Sequence, residues 1–417
     1  MTVHLAQQRQ HREPAHWSPV PAASCEPTAL HRLLLTAIFG DRHAAIAAWH
    51  EWEAQIDIED LDEGSYWLLP RLYRRLRDWD GQLSSDDRQT YQRTCQRITG
   101  LYRHVWSRNQ MILREVGEIV EALKAARISV VVLGGAAIVA EAGADMGARR
   151  ADDSGFWVPA AALSEAVAVL RSLGWETTTH RSPVQLQQQQ TFVGLHRGRN
   201  FLTLHWWVLP ECAALERDDF ERGAVSSRDG VPLQLGTVAA RGLDRTDRLF
   251  VDCIRATRWQ PRSPVYFLAD AIELVRRRSG SQSETNSDID WKRLVEYGCI
   301  HRLNYSLRAS LEEVLACVDR PELHAEIDAA IRTLQGLPAS APERWEARAK
   351  ARPSPLLGQL PLLWFEYRRL RSHLAAQNAA GFPRFLSRRW GLSSPWQLLA
   401  HAGKRGVKRL LSLAARP

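Results

Sequence analysis

The sequence predicts an α+β protein, a small mixed sheet embedded between helical regions. Three observations carry this. Apolar residues recur at three- and four-residue spacing through much of the chain, with Ile112, Val116, Ile119, Val120 and Leu123 as one such stripe. Between about 129 and 209 the pattern changes to short β-branched and aromatic runs bounded by glycine and proline. From about Arg241 the helical period returns.

Taken in order, residues 1–27 are polar and rich in His, Gln and Pro, which reads as a disordered leader without the apolar stretch of a signal peptide. Residues 28–116 form an N-terminal helical region: "ALHRLLLTAIFG", "DRHAAIAAWHEWEAQI" and "SYWLLPRLYRRLRDW" all carry the helical period. A long helical segment follows, with Ser84 and Ser85 ahead of Asp86 and Asp87 as plausible helix-start residues. The α/β core is placed at 117–235. In it "SVVVLGG" (129–135) is a buried strand entering a tight turn, "AAIVAEAG" a short helix and "DSGFWVP" a second strand. "PAAALSEAVAVLRSLGW" is a helix with Pro159 near its start and Gly174 at its end. "QTFVGLHRG" and "NFLTLHWWVL" read as a hairpin pair. A helical domain spans 236–336 and contains a polar loop, "SGSQSETNSD". The Pro- and Ala-rich stretch 337–355 reads as a linker, and 356–417 as a C-terminal helix and basic tail.

Composition narrows the class. A chain of 417 residues, 45% hydrophobic and 24% charged, is an ordinary soluble globular protein with room for two or three domains. The six cysteines are scattered without a C-x-x-C pair, which argues against a zinc ribbon or a disulfide framework and for reduced thiols. No apolar run approaches the roughly 20 residues of a membrane span, so a cytoplasmic location is expected. Sixteen tryptophans against three methionines imply aromatic anchors, in the cores or in a groove.

The net charge of +8 is concentrated in the tail, where Gly381–Pro417 carries eight Lys and Arg and no Asp or Glu. With Leu398, Leu399, Val407, Leu410, Leu411 and Leu413 between the basic residues, this tail could meet an anionic lipid surface, meet nucleic acid or dock on the body. No helix-turn-helix, RNA-binding or zinc-finger pattern accompanies it.

The order strand, Gly-Gly, short helix, carboxylate-bearing strand resembles the start of polymerase-β-like nucleotidyltransferases. The blocks "VVLGGAAI", Arg149 four residues before Asp153, "FWVP", "LTLHWW", "YFLADAIELV" and "DIDWKRLVEYG", with "LLPRLYRRLRD" upstream, resemble one bacterial branch, the uncharacterised nucleotidyltransferases, over roughly 65–320. The resemblance implies an NTP substrate. It also implies two Mg²⁺ ions about 4 Å apart on three carboxylates, two of them at i and i+2 on one strand face. Counting back from Val158-Pro159, the paired carboxylates fall on Asp153 and Gly155; the third, expected just ahead of Leu204, His205 and Trp206, falls on Thr203. Two of the three are missing.

The candidate residues are Asp153 as metal ligand and catalytic residue, His205 as a softer ligand or base, Gly134 and Gly135 as a turn that phosphates approach, and Arg149 as a phosphate contact. Asp152 is expected to face away from Asp153. Three readings stay open. One is a pseudoenzyme that binds a nucleotide or a partner as a biosynthetic accessory. Another is an active enzyme moving a nucleoside monophosphate from an NTP to an unknown acceptor, with Mg²⁺ on Asp153 and help from Glu141, Asp145 or Glu211. The third is an accessory protein that binds an anionic surface through its tail.

Overall fold

The structure, a computed structural model, describes residues 26–56, 61–79, 85–142, 145–179, 182–184, 186, 190–214, 230–258, 263–277, 289–318 and 320–351, with shorter pieces between 360 and 398. Nearly all of the expected leader, the polar loop at 279–288 and the tail beyond 398 lie outside the described residues.

The N-terminal helices are α1 (Ala29–Phe39), α2 (Arg42–Gln55), α3 (Glu63–Asp78) and the 41-residue α4 (Ser85–Ala125). The first three start at side-chain caps. Thr28 accepts from the His31 amide, Asp41 from that of Ala44, and Asp62 from those of Gly64 and Ser65. The α/β region adds β1 (Val131–Leu133), α5 (Gly135–Ala142), β2 (Gly155–Trp157), α6 (Leu163–Ser172), β3 (Glu176–Thr177), β4 (Phe192–Arg197), β5 (Asn200–His205), β6 (Val231–Leu235) and β7 (Val238–Gly242). Helices α7 (Arg245–Ala256), α8 (Val265–Arg276), α9 (Trp291–Ile300), α10 (Asn304–Leu315), α11 (Pro321–Gly336), α12 (Ala341–Ala351) and α13 (Phe382–Arg389) follow among the described residues.

The expected α+β class is what the chain adopts. Its strands form one mixed seven-stranded sheet in the order β3-β4-β5-β2-β1-β7-β6. β1 runs antiparallel to β2 and parallel to β7, while β2 runs parallel to β5. α4, α5 and α6 pack on this sheet around buried Val116, Val120, Val132, Phe156, Leu204 and Trp175. Trp206 is buried in the same core, whereas Trp207 is half-buried.

Three details differ from the sequence reading. The helical regions before and after the core share one hydrophobic core, in which Leu34, Trp49 and Leu72 join Phe250, Leu268 and Leu307. The sheet runs past 235 to Gly242, because Gly236 turns at φ +60° and sends β7 back beside β1. The stretch 337–355, expected as a linker, contains α12. Ser340 and Glu343 cap it reciprocally, the Ser340 amide donating to Glu343 Oε2 at 2.8 Å and the Glu343 amide to Ser340 Oγ at 3.4 Å, with Pro342 in the first turn.

Candidate functional site

β1 ends at a left-handed glycine, Gly134 with φ +68°, which any other residue would strain. The turn is also enclosed. A Cβ at Gly134 would overlap the Asp153 carbonyl oxygen, and one at Gly135 would stand 2.5 Å from Ala151 Cα and 2.6 Å from Asp153 Oδ1. The Ala136 amide beyond it already donates to Ser154 Oγ at 2.8 Å. The glycines let the Arg149–Asp153 segment close over the turn.

Asp152 and Asp153 lie in a turn ahead of β2, which begins only at Gly155. Asp152 pairs with Arg150 at 2.7 Å and Arg108 at 3.5 Å. Asp153 faces Arg149, which bonds Oδ1 through Nη1 and Oδ2 through Nη2 at 3.0 Å. Arg255 stands 3.6 Å from Oδ2. Burial works against the charged carboxyl, but Arg149 and then Arg255 outweigh it and hold Asp153 below the usual carboxylate range.

Arg149 was a candidate phosphate contact, and the structure commits it elsewhere. A guanidinium has five N–H donors. Nε donates to Asp270, Nη1 to Asp153 and the Arg150 carbonyl, and Nη2 to Asp153 and to Asp270 at 2.7 Å. Every donor is used inside the protein. Asp270, fully buried on α8, also accepts from Arg71 on α3. Arg71 reaches Glu273 at 3.2 Å, and Arg74 joins Glu273 at 2.9 Å. The family-like blocks around Arg71, Arg149, Asp153 and Asp270 therefore meet in one buried ionic network.

The neighbouring carboxylates are engaged too. Glu141 pairs with Arg248, Asp145 with Tyr102 and Arg74, and Glu211 with Arg258 at 2.6 Å. Asp252 is pushed up to about 7, first by burial and next by the charge of Asp270, with Arg248 opposing. Its folded state keeps a proton that the unfolded chain loses above pH 3.8, so this group costs stability as pH rises from about 4 to 7. Asp252→Asn removes that slope. Urea midpoints at pH 5 and pH 8 should show the variant gaining on the wild type toward pH 8, and an equal difference at both values would contradict the assignment.

Gly155 and Thr203 are paired across β2 and β5, so the two positions at which the resemblance implies carboxylates are neighbours. A Cβ at Gly155 would overlap Thr203 Oγ1 and stand 2.8 Å from Thr203 O and 3.4 Å from His205 Cδ2. Thr203 fills the space that a side chain at position 155 would need. His205 Nε2 hydrogen-bonds Thr203 Oγ1 at 2.9 Å, and its ring stacks on Phe192 with centroids 5.1 Å apart. Burial first, then the positive charge of Arg255, lowers His205 to about 3. It is neutral at physiological pH and too weak a base for a general-base role there.

These residues do not fit two Mg²⁺ ions. Among the described residues no group of three or more His, Cys, Asp or Glu is placed to hold a metal ion. Asp153 has both carboxylate oxygens on the Arg149 guanidinium. Sequence reasoning missed Arg71, Asp270 and Arg255; the first two lie inside blocks that carry the resemblance, and Arg255 has no local signal at all. No helix is long and apolar enough to cross a membrane among the described residues.

No curated protein and no solved structure matches the chain. The model of a family described as uncharacterised nucleotidyltransferase matches residues 67–314, more than half of the chain. That span takes in the sheet, the Gly-Gly turn, the Arg149–Asp153 segment and helices α7 to α9. The protein belongs to the uncharacterised nucleotidyltransferase family.

Proposed function

We propose that this chain is a non-catalytic member of its family, a nucleotide- or partner-binding protein that acts as an accessory in biosynthesis. The carrying observation is the state of Asp153. It is the one carboxylate left at the three motif positions, and Arg149 occupies both of its oxygens, one of them at 3.0 Å. A divalent cation there would have to displace a buried guanidinium that Asp270 also holds at 2.7 Å. Removing one partner from such a buried pair costs about 3–5 kcal/mol. A nucleotide brings phosphates and one associated ion, but it does not bring the second and third protein carboxylates of a two-metal clamp.

Transfer chemistry tests this reading. The full-length protein is incubated with Mg²⁺ or Mn²⁺, host-cell extract as a source of acceptors, and each NTP labelled at the α-phosphate. Label incorporation and pyrophosphate release are followed for the wild type and Asp153→Asn. The expected result is no signal above the variant with any nucleotide. Incorporation that Asp153→Asn abolishes would make the protein an active enzyme and overturn the proposal.

A further inference from the structure

We propose that the exposed face of α4 between Arg88 and Arg114 is a docking surface for single-stranded nucleic acid, its arginines meeting the phosphates and Trp106 a base. It uses none of the residues of the Asp153 network. The proposal goes beyond the reading of that site and does not depend on it.

From residue 88 to residue 114 the helix carries six arginines and His104, and no aspartate or glutamate. The chain ahead of the basic tail is close to neutral overall, so this is a local excess. Thr94, Ile98, Val105, Asn109 and Ile112 turn into the protein. Arg88, Arg93, Arg97, Arg103, His104 and Arg114 are exposed on the other side. Arg88 and Arg103 make no hydrogen bond or ion pair among the described residues, and Arg93 bonds Thr90 alone, at 3.3 Å. Arg114 has one exposed partner, Glu118 at 3.4 Å, a kind of pair that is weak in water. The carboxylates beside the face are drawn to other groups. Asp145 bonds Tyr102 and pairs with Arg74 at 3.5 Å, and Glu115 bonds Asn200 and pairs with Arg197 at 3.5 Å. Arg108 differs from the rest, since it donates to Asn200 at 2.7 Å and faces Asp152.

The shape of the surface points to a linear polyanion. It runs about 40 Å along the helix axis and is one helix, about 10 Å, wide. Every basic group on it but His104 is an arginine, whose planar fork takes phosphate oxygens two at a time. Trp106 is 45% exposed and makes no ring contact or hydrogen bond among the described residues. Arg103, Trp106, Gln110 and Arg114 follow one another at helical spacing along a single strip. The open indole thus lies between two arginines, where a base can stack while its phosphates meet guanidiniums. A duplex keeps its bases stacked inside, so Trp106 favours the single strand. A lipid surface fits less well, because a helix lying in a membrane interface needs a broad apolar face. Here the large exposed apolar side chains are Trp106 and Met111, set among arginine and glutamine.

Fluorescence anisotropy on the full chain tests this, with labelled single-stranded RNA and DNA long enough to span the face, titrated between about 50 and 200 mM salt. The wild type is expected to bind, with an affinity that falls steeply as salt rises. A triple variant, Arg88→Gln with Arg93→Gln and Arg103→Gln, removes three phosphate contacts. It should reduce the salt slope by about 2 and weaken binding roughly 100-fold at about 0.1 M salt. Trp106→Ala should weaken binding about tenfold and leave the salt slope unchanged, which separates stacking from charge. The basic tail is controlled by a second variant, Lys404→Gln with Arg405→Gln, Lys408→Gln and Arg409→Gln, in which the effect of the α4 substitutions should persist. Unchanged affinity in the α4 triple variant, with binding lost in the tail variant, would overturn the proposal. So would no binding of either single strand by the wild type. Tighter binding of a duplex would overturn the single-strand assignment. Binding to vesicles containing anionic lipid, with none to the oligonucleotides, would give the face to a membrane instead.

Discussion

Replacing Asp270 with alanine is expected to cost about 3–5 kcal/mol of folding stability, the range for breaking a buried ion pair by removing one partner. Asp270 is fully buried and accepts from Arg71 on α3 and from Arg149 ahead of β2. Two guanidiniums would be left with fewer acceptors in a region that water does not reach. The loss exceeds that of a surface pair, worth about 0–1 kcal/mol, because neither charge can be rehydrated without opening the α3–α8 contact. Asp270→Asn keeps the shape and one acceptor and should recover part of the loss. Urea unfolding at pH 7 measures both. An Asp270→Ala midpoint equal to the wild type would mean that the network is not what joins the sheet to the helical body.

Placing a carboxylate at position 155 is expected to fail, and to fail structurally. At Gly155 an aspartate needs the volume that Thr203 Oγ1 fills, with Thr203 O at 2.8 Å and His205 Cδ2 at 3.4 Å from the added Cβ. Overpacking of this kind costs about 1–3 kcal/mol. Removing a strand glycine returns only about 0.4–1 kcal/mol through the unfolded chain. The strain wins, so Gly155→Asp should be destabilised. Thr203→Ala, added as a second substitution, should relieve the hydroxyl overlap but not the contact with the Thr203 carbonyl. The double variant should therefore recover in part, with a coupling of about 0.5 kcal/mol or more between the two sites. Strict additivity in the unfolding free energies would show that the threonine does not fill the vacant position.

How much of this was legible in the sequence depends on range. β1, the Gly-Gly turn and the β4–β5 hairpin carried local signals: β-branched runs, paired glycines and alternation. Counting back from Val158-Pro159 brought Gly155, and the later block of Leu204, His205 and Trp206 brought Thr203, to motif positions of the resemblance, and the register pairs them across β2 and β5. β2 was overestimated because Asp152 and Asp153 lie in a turn ahead of it, where they pair with Arg108, Arg150 and Arg149. The Ser340–Glu343 capping box was present but masked by Pro- and Ala-rich surroundings. The centre of the site was not legible. Arg71 and Arg149 reach Asp270 across 199 and 121 positions, and no periodicity reports a contact at that separation. Arg255 lies on an amphipathic helix where arginine is unremarkable, and only the fold brings it to Asp153.

The most direct test of the central claim, that Asp153 is held by arginine instead of serving a metal centre, is Mn²⁺ binding followed by electron paramagnetic resonance. The wild type, Gly155→Asp and Asp153→Asn are titrated with Mn²⁺, alone and with a non-hydrolysable ATP analogue. The expected result is that none of the three holds Mn²⁺ beyond what the nucleotide carries, and that Asp153→Asn leaves the spectrum unchanged. A tight Mn²⁺ signal in the wild type that disappears in Asp153→Asn would contradict it.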